Sequence, residues 1–149
     1  MSKIAVYNFL PVWAPLVKSG MKPHTIRRRR KNPTEKGDWL KHFVGLRTKA
    51  CELLYEQECA AVTPIEFLEV DGKPGVTLDA GALYYGVRWD KSLKLGQGPG
   101  WTLQQMAEWD GFPTPDAFLK FFVDHYGMPS KDLELVEWRT PERAAHARW

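Results

Sequence analysis

The chain has 149 residues, 44% of them apolar, with 21 Lys and Arg against 18 Asp and Glu for a formal charge of +3. That length and apolar content suffice to bury a core in one domain and exclude intrinsic disorder. There is no apolar run of bilayer length, no signal-peptide pattern and no CxxC pair, only Cys51 and Cys59. These absences predict a cytoplasmic protein with reduced thiols, away from membranes, and without a disulfide framework or zinc knuckle.

Residues 4–9 form a short apolar run of strand type. Pro11 opens a helix predicted to reach Ser19, with Trp13, Leu16 and Val17 at helical spacing and Gly20 as its left-handed stop. From Thr25 the chain reads as extended. Alternation then puts Thr25, Arg27 and Arg29 on one face and Ile26, Arg28 and Arg30 on the other, so the strand should leave the core by about Arg28. Residues 35–38 (Glu-Lys-Gly-Asp) read as a turn, followed by strands over Trp39–Val44 and Arg47–Tyr55 and a further one over Cys59–Val70. Residues 71–75 (Asp-Gly-Lys-Pro-Gly) carry strong turn chemistry.

A glycine-rich loop over Gly96–Gly100 precedes two helices. Thr102 and Gln105 make a capping-box pattern for the first, which Gly111 ends. Thr114 and Pro115 start the second as cap and first helical residue, and Gly127 stops it. Phe118, Phe121, Phe122 and His125 give it one face, whose phenylalanines are expected to be core. Residues 133–139 read as a closing strand, and 140–149 as a tail without a structural signal. Short strands with a helical pair before the last one predict an α+β domain over residues 1–139, built as a small mixed barrel with flanking helices.

The charge is unevenly distributed. Residues 1–50 hold twelve bases against Glu35 and Asp38 alone, a local charge of +10, and the remainder holds nine bases against sixteen acids, a charge of −7. A surface polarised in this way suits one basic site for a polyanion, not a protein that coats nucleic acid. The basic density peaks where Gly20, Lys22, Pro23 and Thr25 lead into Arg27, Arg28, Arg29, Arg30 and Lys31. Gly20 and Pro23 bracket Lys22 in a turn, which can aim one side chain into a cleft. The alternative is a solvated basic loop.

Other chemistries lack their residues. No G-x-S-x-G elbow is present, the histidines at 24, 42, 125 and 146 are scattered, no H-E-x-x-H or His/Cys cluster offers a metal cage, and no G-K-[ST] follows the glycines. Lysine chemistry, carboxylate chemistry and binding without catalysis remain. A lysine is a nucleophile only when neutral, and at an unperturbed pKa of about 10.4 few molecules are neutral at pH 7. Burial and neighbouring cations both favour the neutral form.

The helix ending in Gly20, then Lys22-x-x-Thr25-Ile26-Arg27 and Gly37-Asp38, resembles the ASCH family of the PUA-like superfamily. Residues 44–49 (Val-Gly-Leu-Arg-Thr-Lys) and 107–112 (Ala-Glu-Trp-Asp-Gly-Phe) extend the resemblance over most of 4–139. It implies a small β-barrel with flanking helices that binds RNA or a modified nucleoside. One branch consists of metal-free amidohydrolases that remove the acetyl group from acetylcytidine with a lysine, a threonine three positions later and a glutamate. The lysine carries over to Lys22 and the threonine to Thr25, while the acid aligns with Asp110, one methylene shorter than the family's residue. The resemblance implies no cofactor.

In that reading Lys22 attacks the amide carbonyl or positions water, Thr25 holds the lysine and relays a proton, and Asp110 orients the amine or protonates the leaving group. A close carboxylate would stabilise the ammonium and oppose the first role. Arg27, Arg28, Arg29, Arg30 and Arg47 are the expected substrate or RNA contacts, and Trp101, with Trp89 across the glycine loop, is a candidate stacking platform. The competing readings are an RNA-binding module without catalysis and a ribonuclease.

Overall fold

The computed structural model describes residues 2–70, 72–78, 82–85 and 103–138. Trp89, Trp101, Thr102, the Gly96–Gly100 loop and the 140–149 tail lie outside the described residues. The elements run β1 (Ile4–Phe9), α1 (Ala14–Ser19), β2 (His24–Arg28), β3 (Trp39–Val44), β4 (Glu52–Val70), β5 (Lys73–Leu78), β6 (Ala82–Tyr85), α2 (Leu103–Trp109), α3 (Pro115–Tyr126) and β7 (Leu133–Trp138). The chain is thus a mixed α+β protein. The strands follow the order β1-β3-β4-β5-β6, with β7 paired to both β2 and β4. Among the described residues no pairing joins β1 to β6, so the path stays open. By contacts the described residues group into two compact units, one within 2–25, 30–62 and 136–138, the other within 26–29 and 63–135.

In the first unit β1 lies parallel to β3, with Ile4 opposite Trp39 and Phe9 opposite Val44. Strand β3 is antiparallel to the start of β4, and its register shifts between His42 and Phe43. Alternation along β1 buries Ala5, Tyr7 and Phe9, which pack with Val17, Leu40, Leu54, Cys59, Val136 and Trp138. His42 is fully buried in this core, with its ring centroid 4.1 Å from that of Trp138 and 5.3 Å from that of Phe9. The 35–38 turn is fixed by Asp38, whose carboxylate accepts from Lys3 Nζ at 2.8 Å and from the Glu35 amide at 2.8 Å. Burial works to raise the Asp38 pKa, but the Lys3 side-chain bond and the Lys3 and Glu35 amides outweigh it, and the net shift is downward.

In the second unit the far half of β4 pairs antiparallel with β5, from Ile65 opposite Leu78 to Val70 opposite Lys73, and β5 pairs with β6. The tight connection after Val70 uses Gly72 at φ 78°. Helix α3 begins as its sequence dictates: the Thr114 hydroxyl accepts from the Ala117 amide at 3.1 Å, and Pro115 follows. Phe118 and Phe122 are buried, the latter stacked on Phe67 at 5.2 Å, whereas His125 is exposed and stacks on Phe121 at 5.7 Å.

Candidate functional site

Lys22 belongs to the first unit and is fixed on both sides. Gly20 caps α1 in the left-handed conformation at φ 83°. The Leu16 carbonyl then accepts from the Met21 amide at 3.1 Å and the Lys22 amide at 3.2 Å. One residue further on, the Pro23 carbonyl accepts from the Trp138 amide at 2.9 Å. This path carries Lys22 inward. It is 4% exposed, and its Nζ lies 5.8 Å from the centre of the Trp13 ring. Thr25, three residues on, is also 4% exposed, and His24 between them is fully buried. A lysine buried to this degree is uncommon, because an ammonium gives up strong hydration when it is enclosed.

The arginines divide by environment. Arg27 is half-buried and Arg28, Arg29 and Arg30 are exposed. Strand β2 ends at Arg28, as the sequence implied, so the alternation expected for Arg29 and Arg30 applies to residues outside the strand. Arg30, in the first unit, donates to the Val6 carbonyl, and its guanidinium lies 4.0 Å from the Tyr7 ring centre. Arg28, in the second unit, lies 5.4 Å from the Tyr126 ring centre. Arg47 is exposed in the 45–50 turn at φ 69°, beside Gly45 at φ 64°. The Thr48 hydroxyl braces that turn by donating to the Gly45 carbonyl at 2.6 Å.

Asp110 belongs to the second unit, immediately after α2, and is 3% exposed. Its amide donates to Met106 O at 3.0 Å, and the chain turns away through Gly111 at φ 96°. Glu108, two residues earlier, is exposed.

Cys59 is buried, and that burial pushes its thiol up to about 11, which disqualifies it as a nucleophile at neutral pH. No group of His, Cys, Asp and Glu among the described residues is arranged to hold a metal ion. No helix among them is long and apolar enough to cross a membrane. No family model, curated protein or solved structure matches the chain.

Sequence reasoning missed Glu134, which appeared only as a residue of the last strand. It is half-buried, and burial raises its carboxyl pKa while Arg29 acts to lower it. The local signal was the alternation of β7, where Leu133 and Leu135 are buried on either side of Glu134.

Proposed function

We propose that the chain is an ASCH-like domain of small-barrel type that binds RNA or a modified cytidine nucleoside and removes an acyl group from the exocyclic amine. The observation that carries this reading is the burial of Lys22, with Thr25 buried three residues along. A lysine kept only for phosphate or solubility has no need to be enclosed. Desolvation favours the neutral amine, the form that can attack a carbonyl. Free thiols at Cys51 and Cys59 support a reducing, cytoplasmic setting.

The chemistry is amide hydrolysis. Either the Lys22 amine adds to the acyl carbon, or it deprotonates a water that does so. The bond from the acyl carbon to the cytidine nitrogen then breaks and the cytidine amine leaves with a proton. In the first route this gives an acyl-lysine, to whose acyl carbon water adds before the C–Nζ bond breaks. In both routes water supplies one oxygen of the released carboxylate and Lys22 is regenerated. The Thr25 hydroxyl is assigned to orient Lys22 and pass a proton. The acid role of Asp110 rests on the resemblance alone, and Asp110→Asn tests it.

The exposure of Arg28, Arg29 and Arg47 favours a second reading, in which the domain binds RNA without catalysis. The two are separated by incubating purified protein with acetylcytidine and acetylated RNA, with and without chelator. Release of acetate that requires Lys22 supports the hydrolase. RNA binding without acetate release, with Lys22→Arg tolerated, supports the module.

A further inference from the structure

Trp13 is an aromatic ring that the fold sets beside Lys22, whose Nζ lies over it at 5.8 Å from the ring centre. Both residues belong to the first unit. The Trp13 backbone is held in both directions. Its amide donates to the Leu10 carbonyl at 2.9 Å, and its carbonyl accepts from the Leu16 and Val17 amides at 3.1 Å each. The indole is half-buried and packs against the core that holds Val17 and Trp138. The chain around the pair lies at the surface, with Val12 66% exposed and Met21 50% exposed. An enclosed lysine and a fixed, partly open indole thus adjoin each other below an apolar stretch of surface.

We infer that Trp13 is the platform on which the substrate's base stacks. It makes the site select acyl groups borne by an aromatic ring over acylated aliphatic amines, whose chains offer no flat face. The separation of the two side chains supports this. At 5.8 Å the ammonium is at the outer limit of cation–π attraction, about 6 Å, so that contact alone gives the ring little purpose. A flat group touching the indole lies about 3.5 Å from it, and an amine ready to attack lies about 3–3.5 Å from the carbon it attacks. An acyl amide laid on Trp13 therefore meets Nζ at attack distance after a shift of about 1 Å in the flexible lysine chain. In an acylated cytosine the amide is conjugated with the ring, so one platform orients both. A ring already fixed in place loses little freedom when it binds. The inference rests on the proposed deacylation for its ligand and adds the residue that chooses it.

The test uses cytidine, the product, which binds without being turned over. Titration calorimetry of the full chain should show cytidine binding to wild type, and Trp13→Leu, verified as folded, should bind it about tenfold or more weakly, the loss expected when a base forfeits its aromatic platform. Trp13→Phe keeps a smaller ring and should bind cytidine within a few-fold of wild type. A stacked base quenches indole fluorescence, so the quenching that cytidine causes in wild type should disappear in Trp13→Phe although cytidine still binds. This second readout does not depend on the leucine variant folding. Failure of wild type to bind cytidine, unchanged affinity in folded Trp13→Leu, or quenching that survives in Trp13→Phe would overturn the inference. Acetate release is read separately. Turnover of acetylcytidine with unchanged cytidine affinity in Trp13→Leu would overturn the platform and leave the deacylation standing. Cytidine binding that depends on Trp13, without acetate release by wild type, would do the reverse.

Discussion

Gly20→Ala perturbs the backbone that delivers Lys22 without touching its side chain. Gly20 sits at φ 83°, ψ 5°, where an L side chain costs about 1–2 kcal/mol from the clash of Cβ with the backbone. Alanine also restricts the unfolded chain, which returns about 0.4–1 kcal/mol. The net destabilisation should be about 1 kcal/mol, or about 2–4 °C in Tm for a chain of this size. Gly20→Asn should lose less, because asparagine tolerates the left-handed region. If the substituted cap instead relaxes, the amides of Met21 and Lys22 lose the Leu16 carbonyl. A displacement of Lys22 by about 1 Å could then cost on the order of a hundredfold in turnover. Denaturant titration with acetylcytidine turnover, both at a temperature where every variant is folded, reads the two effects separately. A Gly20→Ala protein as stable as wild type would refute the reasoning about the cap. A destabilised protein that keeps full activity has held the strained cap and Lys22 in place, whereas one that has relieved the strain, as stable as expected for a relaxed cap, and yet is fully active would refute the claim that the cap positions Lys22.

Three further outcomes are expected. Replacing Phe122, which stacks on Phe67 and meets Phe118 and Phe121 at 5.1 Å each, by Ala should cost about 3–5 kcal/mol by denaturant unfolding. Because the Asp38 pKa is lowered in the folded state, its contribution is complete above the ordinary value of 3.8 and disappears as pH falls through the folded value. The stability gap between wild type and Asp38→Asn should therefore close in acid, and a gap that persists at the lowest pH at which the protein folds would contradict it. Replacing the exposed Arg28 and Arg29 by Ala should reduce the slope of log binding constant against log salt for single-stranded RNA by about 1.4, the release expected for two phosphate contacts. An unchanged slope would mark these arginines as surface only.

Much of the fold was legible because local chemistry decides it. Gly20, Gly111 and Gly127 end helices at positive φ, and Thr114-Pro115 opens α3 as its residue types require. The errors fell where tertiary pairing or a tight turn overrides local cues. The helix predicted from Pro11 starts at Ala14, since residues 11–13 form a turn closed by Ala14 N to Pro11 O at 3.2 Å. Two strands were expected over Arg47–Tyr55 and Cys59–Val70. Instead residues 47–50 belong to a turn with Arg47 at positive φ, and one 19-residue strand, β4, runs from Glu52 to Val70. The polar Glu56, Gln57 and Glu58 fell between the two expected strands, but they pair with Lys41, Leu40 and Trp39 of β3 in that order. Residues 73–75 read as turn because of Pro74 and Gly75, whereas Val70 at the end of β4 pairs directly with Lys73, and Pro74 and Gly75 lie in β5. Strand β6, four residues long, had no counterpart in the sequence reading. For the candidate site, the bracket of Gly20 and Pro23 around Lys22 was visible. Its burial was not, because it depends on Trp13 and on the Trp138 amide, distant in sequence.

The most direct test of the account is acetate release from acetylcytidine by wild type and by Lys22→Arg, with folding of both verified by circular dichroism. Arginine keeps the positive charge but stays protonated, so it preserves any phosphate contact and abolishes a neutral-amine role. The account predicts that wild type releases acetate and cytidine in equal amounts, in the presence of chelator as in its absence, and that folded Lys22→Arg releases none. Robust deacetylation by Lys22→Arg, or no turnover by wild type, would contradict it.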